Sequence, residues 1–315
     1  MHPILKTLVA LILVAPLATL AESPPVAALS AASQKAVLVT GASTGIGRKV
    51  TERLAANGYF VYAGARKEAD LKSLAQLKNV QALRLDVTST TDIAAAVETI
   101  QKAGRGLYGL INNAGIATRG TLADMPPEEF DLTMQVNLYG PYRVSRAFAP
   151  MIIAAKGRIT TIGSISGIGV TRDLMAYQMS KHAVEAFTDS LALQMQEHGV
   201  IVNVVEPGNY NSEIMRSALR RLNDTKNNGD RSQYKEPDEV ADAVEKALFD
   251  PNPKRRYMVV PNQGEAEWTI GHQIRQLVQL NEDQPYSYDR DGLIRMLDEA
   301  LAKARPKTKQ AEVVR

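Results

Sequence analysis

The 315-residue chain contains no cysteine, which excludes disulfides, thiol nucleophiles and zinc–thiolate sites. Histidine is scarce: His2, His182, His198 and His272 are the only four, and no two have metal-ligand spacing. That argues against a metal enzyme, and no metal site is expected. An excess of one charge is lacking too. The formal net charge is +3 and scattered, which argues against nucleic acid as a partner. The short cluster Lys254-Arg255-Arg256 reads as solvated surface. No twin arginine precedes the one apolar run near the N-terminus. What is present is ordinary for a globular protein: 45% hydrophobic and 23% charged residues, enough for one large domain.

Residues 1–6 carry positive charge, and 7–21 form a fifteen-residue apolar run interrupted by Pro16. Thr19-Leu20-Ala21 offers small residues before Glu22, completing the layout of a signal peptide or a signal-like segment over 1–21. A spanning helix needs ~20 apolar residues, so the run is short for a permanent anchor. Residues 22–34, rich in Ala, Ser and Pro, read as a linker. Export to a periplasm or secretory lumen, or membrane association through the N-terminus, is expected, with a cytoplasmic location as the alternative. Lys6 ahead of the run favours translocation of the rest of the chain.

From residue 35 onward, short β-branched runs alternate with helical patterns. Strands are expected at 36–40, 59–63, 80–87, 107–111, 158–162, 200–205 and 257–260. Helices are expected at 47–57, 70–77, 91–103, 127–153, 176–198 and 238–248. The alternation predicts an α/β fold: a doubly wound, parallel, Rossmann-type sheet of about seven strands with helices on both faces. Ligands bind beyond the carboxyl ends of such strands, so chemistry-bearing residues should follow strand ends. A single domain is expected over 35–315. The polar stretch 209–235 interrupts the alternation and reads as a substrate lid. Two amphipathic helical patterns, around 268–280 and 293–304, fill the tail 263–315.

Two motifs stand out. Thr40-Gly41-Ala42-Ser43-Thr44-Gly45-Ile46-Gly47 joins the first strand to the first helix, where glycines let the backbone approach a pyrophosphate at the helix N-terminus. Its spacing, Gly-x-x-x-Gly-x-Gly, differs from the Gly-x-Gly-x-x-Gly of most dinucleotide folds. Tyr177 and Lys181 lie four apart on one helix face, with Ser164 thirteen positions before the tyrosine. An ammonium there is expected to lower the tyrosine's pKa and fit it for acid–base work.

With Asn112-Asn113-Ala114-Gly115 after the fourth strand, Asn137 on the next helix and Pro207-Gly208 after the sixth strand, the chain resembles the short-chain dehydrogenase/reductase family. The resemblance spans about 35–260 and is closest in kind to the retinol and hydroxysteroid dehydrogenase branch. It implies a catalytic set of Asn137, Ser164, Tyr177 and Lys181. It also implies cofactor binding by Gly41, Ser43, Gly45, Ile46, Gly47, Arg66, Asp86, Asn113, Tyr177, Lys181, Pro207 and Gly208. Tyr177 would exchange a proton with the substrate oxygen, Ser164 would hydrogen-bond that oxygen, Lys181 would hold the nicotinamide ribose, and Asn137 would support a water relay. Ser166, Ser180, His182 and Glu206 are read as structural or solvated.

The end of the second strand carries no carboxylate for a ribose 2′-hydroxyl, whereas Arg66 and Lys67 follow it. NADP(H) is therefore preferred, with NAD(H) the alternative. The expected reaction moves a hydride between nicotinamide and a carbonyl or secondary alcohol on a bulky apolar substrate such as a steroid, retinoid or lipid-like ketone. The alternative is a non-catalytic dinucleotide-binding sensor or scaffold. The resemblance also implies a homodimer or homotetramer.

Overall fold

Every residue of β1 (Ala36–Val39) is buried, as a strand covered on both faces must be. Its side chains alternate between two cores. Val37 and Val39 pack with Val50, Leu54 and Val244 on one face of the sheet. Leu38 packs with Tyr62, Phe148 and Ile152 on the other. β2 (Phe60–Ala65) divides in the same way, Tyr62 to one core and Val61 and Ala63 to the other. This two-sided burial is the physical content of a doubly wound sheet.

The structure, a computed structural model, describes residues 34–223 and 229–304. The expected signal segment and its linker lie outside the described residues, apart from Gln34, and the described residues from Lys35 onward form one compact unit. No helix among the described residues is long and apolar enough to cross a membrane.

The remaining strands are β3 (Val80–Arg84), β4 (Gly109–Asn112), β5 (Arg158–Ile162), β6 (Ile201–Pro207) and β7 (Arg256–Val259). All pairings are parallel, in the order β3-β2-β1-β4-β5-β6-β7. Leu38 is in register with Tyr62 on one side and Leu110 on the other. The chain therefore leaves the sheet at β3 and re-enters beside β1 as β4, which makes the β1/β4 boundary the switch point where a ligand crevice opens.

The helices are α1 (Gly45–Ala56), α2 (Glu68–Leu74), α3 (Thr90–Ala103), α4 (Pro127–Met134), α5 (Gly140–Ala154), α6 (Met175–Gln196), α7 (Ile214–Arg221), α8 (Asp238–Phe249), α9 (Gln263–Asn281) and α10 (Arg290–Ala304). α3 shows how local sequence sets an element's limits. Ser89 caps its start by accepting from the Asp92 N–H, and Gly104 ends it at φ 67°, a left-handed position.

Three details depart from expectation. The helical region 127–153 is not continuous, because a π-helical segment, Gln135–Tyr139, separates α4 from α5 and carries Asn137. One inserted residue does not disturb apolar periodicity enough to be read, yet it redirects a side chain. β3 stops at Arg84, so Asp86 lies beyond the strand, in a turn where its carboxylate accepts from the Thr88 N–H and hydroxyl. The polar stretch 209–235 contains α7, whose only buried residues are Ala218 and Leu219, too few to leave a pattern.

β7 is fastened by charge. Arg256 pairs with Glu206 at 3.0 Å and also with Glu185 and Asp189 of α6. Glu206 is only 2% exposed, so it is a buried ion-pair partner and has a structural role rather than a solvated one. Burial pushes the Glu185 carboxyl well above the carboxylate range; the neighbouring Glu206 adds to this and Arg256 opposes it. The folded state thus holds that proton more tightly than the unfolded chain. This contribution is complete below the ordinary pKa of 4.5 and is lost as pH rises toward the raised value. Arg256→Met leaves these carboxylates without their cation. In urea unfolding at neutral pH it is expected to cost about 2–4 kcal/mol, toward the low end for a broken buried pair because the arginine is itself partly exposed. The loss should be larger above the raised Glu185 pKa of about 8, where that carboxyl is ionised, than below it.

Candidate active site

The glycine loop is built by close approach to the exit of β4. Asn113 donates its side-chain amide to the carbonyls of Thr40 and Gly41 at 2.8 and 3.0 Å, and the Thr40 hydroxyl accepts from the N–H groups of Asn113 and Ala114 at 3.0 Å each. A Cβ on Gly47 would stand 2.2 Å from the Gly41 carbonyl oxygen and 2.3 Å from the Asn113 amide nitrogen. Gly41 and Gly45 have φ of 64° and 54°, a region that favours glycine. Thr44 precedes α1 without a side-chain cap, and no acidic residue stands in the first turn. The amides and positive dipole end of α1 are thus left for an anion.

A cavity of about 440 Å³ runs along this loop. Of the expected cofactor residues, Gly41, Ser43, Gly45, Ile46, Gly47, Arg66, Asp86, Asn113 and Lys181 line it. Arg66 lies 3.6 Å from Asp86 and is largely exposed, with Lys67 and Asp70 on the same cavity. Burial alone would raise the Asp86 carboxyl; the Thr88 hydrogen bonds and the Arg66 charge outweigh it and hold it below its usual value. A glycine cradle and an uncapped helix fit the pyrophosphate of a dinucleotide.

The second cavity, about 550 Å³, is lined by Ser164, Tyr177, Pro207 and Gly208, with Ile165, Leu174, Ile214, Met215 and Trp268 as apolar wall. Ile46, Ser212 and Ile214 line both cavities, so the two adjoin. Tyr177 faces one and Lys181 the other, one helical turn apart on α6. Lys181 is buried, donates to the Ile162 carbonyl at 2.7 Å and stands 5.8 Å from the Tyr177 ring centre. Ser164 accepts from the Ser166 N–H and reaches the Pro207 carbonyl at 3.5 Å, which aims its hydroxyl along the end of β6.

Asn137 lines neither cavity. Its carboxamide bridges the Ile116 backbone, accepting from N–H and donating to C=O at 2.8 Å each, and donates to Ser180 at 2.9 Å. Ser180 in turn donates to the Tyr177 carbonyl at 2.7 Å. The π segment thus ties the strand exit to the turn of α6 that carries Tyr177, and Ser180 is a working part of that tie. His182, expected to be solvated, is half-buried with Nδ1 2.9 Å from the Gln178 carbonyl oxygen.

The electrostatics correct one expectation. Tyr177 is not lowered: burial pushes its pKa up, against the smaller opposing effects of the Ser164 hydroxyl and the Arg231 guanidinium. Lys181 is itself pushed down to about 8 by burial, which Glu185 partly opposes. Desolvation is the largest effect on each, and the charge that opposes it at Tyr177 is Arg231 rather than Lys181. Arg231, Glu265 and Trp268 belong to the pocket but were not singled out for it. The sole tryptophan sits far along the chain, and the arginine lies within a stretch legible only as polar.

The family model described as short chain dehydrogenase matches residues 35–223. Mitochondrial D-beta-hydroxybutyrate dehydrogenase of Mus musculus is 36% identical over 190 residues, covering 57% of this chain and 55% of that protein. Human 17-beta-hydroxysteroid dehydrogenase type 6 is 35% identical over 195 residues, covering 60% and 61%. The chain thus matches little more than half the length of these relatives. An actinorhodin polyketide ketoreductase structure with NADPH superposes with a TM-score of 0.67 at 26% identity, covering 74% of this chain and 98% of that one. The glycine loop, the parallel sheet and the paired cavities carry the same message as these matches: the chain belongs to the short-chain dehydrogenase family.

Proposed function

We propose that the protein is an oxidoreductase that moves a hydride between a nicotinamide dinucleotide and a carbonyl or secondary alcohol on an apolar body. The observation that carries this reading is the position of Tyr177 and Lys181 on adjacent turns of α6, one facing each of two adjoining cavities. A nicotinamide cofactor, when bound, supplies or accepts the hydride. Tyr177 exchanges the proton with the substrate oxygen, and its raised pKa keeps the phenol protonated at neutral pH, suited to giving that proton. Ser164 hydrogen-bonds the same oxygen and stabilises the charge that develops there. Lys181, held by Ile162, orients the ribose and supports the phenolate left after transfer. Asn137, although it lines neither cavity, positions the turn of α6 that carries Tyr177 through Ser180. The described part of the polar stretch around α7 acts as the lid, Ile214 and Met215 being apolar contacts of the pocket.

NADP(H) is the preferred cofactor, supported by Arg66 and Lys67 on the cavity and by the lack of a carboxylate at the end of β2. A steroid, retinoid or lipid-like ketone suits the apolar wall of Ile165, Leu174, Met215 and Trp268. A homodimer or homotetramer through the helical region holding Asn137 and through α6 is supported by the exposure of Tyr139, Tyr142, Met179 and Leu193 there.

Three outcomes test this reading. Tyr177→Phe is expected to lower ketone reduction by about 10²–10⁴-fold while NADPH binding, read by fluorescence, persists; unchanged turnover would refute the assignment and leave a binding protein as the better account. The reductive rate should show no phenol-linked loss below pH 10, and alcohol oxidation should climb with pH as the phenolate forms. A pH–rate profile in both directions decides this. The double change Arg66→Ala with Lys67→Ala should reduce the NADPH/NADH ratio of kcat/KM by about tenfold or more, from lost charge-assisted contacts. A wild-type enzyme equally served by NADH would rule out the NADP preference.

A further inference from the structure

Every described cation of the segment 209–235 has a carboxylate partner except one. Arg216 pairs with Glu213 and Asp230, Arg220 with Glu213, Arg221 with Glu129, and Lys235 with Glu239. Arg231 has none among the described residues. Its contacts are neutral: Nη2 donates to the Asn209 side-chain oxygen at 2.7 Å, and the Tyr234 ring centre lies 4.6 Å from the guanidinium carbon. Its Nε is buried and has no hydrogen-bond partner. A partly desolvated cation with an unused donor is costly to hold unless something charged completes it.

Arg231 lines the same cavity as Tyr177 and Ser164. The one carboxylate on that cavity, Glu265, is engaged elsewhere: it accepts from the Asn209 N–H at 2.8 Å and stands in the first turn of α9, where the helix dipole favours an anion. Asn209 therefore holds the two apart in role, its backbone on Glu265 and its side chain on Arg231. Arg231 and Tyr177 line one cavity, so an anion at the one and a reacting oxygen at the other are compatible with a single molecule.

Resting on the proposed reaction, we infer that Arg231 is a specificity-determining residue that binds an oxyanion of the substrate. The compound turned over is then a hydroxy or oxo acid, its apolar part against Trp268 and its acid group on the Arg231 guanidinium. A carboxylate, sulfonate or phosphate presents the paired oxygens this fork accepts.

The single tryptophan of the chain, Trp268, lines this cavity and provides a readout independent of turnover. The full chain is titrated with hexanoate, hexane-1-sulfonate and hexan-1-ol while Trp268 fluorescence is followed, and kcat/KM is measured for 3-oxohexanoate and its methyl ester. The wild type should bind at least one of the two anions about tenfold or more tighter than the alcohol and favour the acid over the ester by a similar factor. A carboxylate-only preference identifies the acid group, whereas equal binding of the sulfonate identifies a general oxyanion site. Arg231→Met should bring both ratios close to one, and Arg231→Lys should recover part of each, which a merely structural arginine would not do. Alcohol binding as tight as either anion, or ratios unchanged in Arg231→Met, overturns the inference. Ketone reduction that persists without any anion preference sinks this inference alone. Anion preference without reduction of any ketone sinks the reaction instead.

Discussion

The arrangement at the β1/β4 boundary is the constraint on which the site depends. Two parallel strands that are neighbours in the sheet send their chains to opposite faces there, and the gap has to be closed without filling it. Asn113 and the Thr40 hydroxyl close it by hydrogen bonds between the strand exits, and Gly47 allows the contact because no Cβ would fit. The amide ends of α1 are left facing the crevice, and the chain after β4 is led to Ile116, where Asn137 takes over. From Asn137 the connection passes through Ser180 to the backbone of Tyr177. The glycine loop, the π segment and the helix that carries Tyr177 are thus linked by one chain of short polar contacts.

Burial sets the electrostatics of that chain. The Tyr177 phenol and the Lys181 ammonium each lose water on entering the crevice, and desolvation is the largest effect on both. One turn beyond Lys181 the same desolvation acts on Glu185, which shares its surroundings with Glu206 and relies on Arg256 from β7. The far edge strand is therefore coupled to the helix that carries the site through charge as well as packing.

Much of this was legible in the sequence because its signals are local or periodic. Strand Arg158–Ile162 falls where its β-branched run predicts, and Ser164 follows its end as expected of a residue beyond a parallel strand. The glycine spacing, the Tyr177/Lys181 interval and the NNAG stretch are short patterns that need no partner to be recognised. Other features escaped for physical reasons. α7 is short and has two buried residues, the π segment shifts a helix by one residue, and Glu206 owes its role to an arginine fifty positions away.

The sequence by itself determined the parallel doubly wound sheet through its periodicity, and the family through the resemblance that its short motifs carry. The tertiary structure alone decided which charges are compensated. Whether Arg231 has a carboxylate beside it, whether Glu206 is solvated, and which way burial moves Tyr177 all depend on groups brought together from distant positions. Desolvation and Coulomb energies are set by those neighbours and by excluded water, and neither is written in the order of residues.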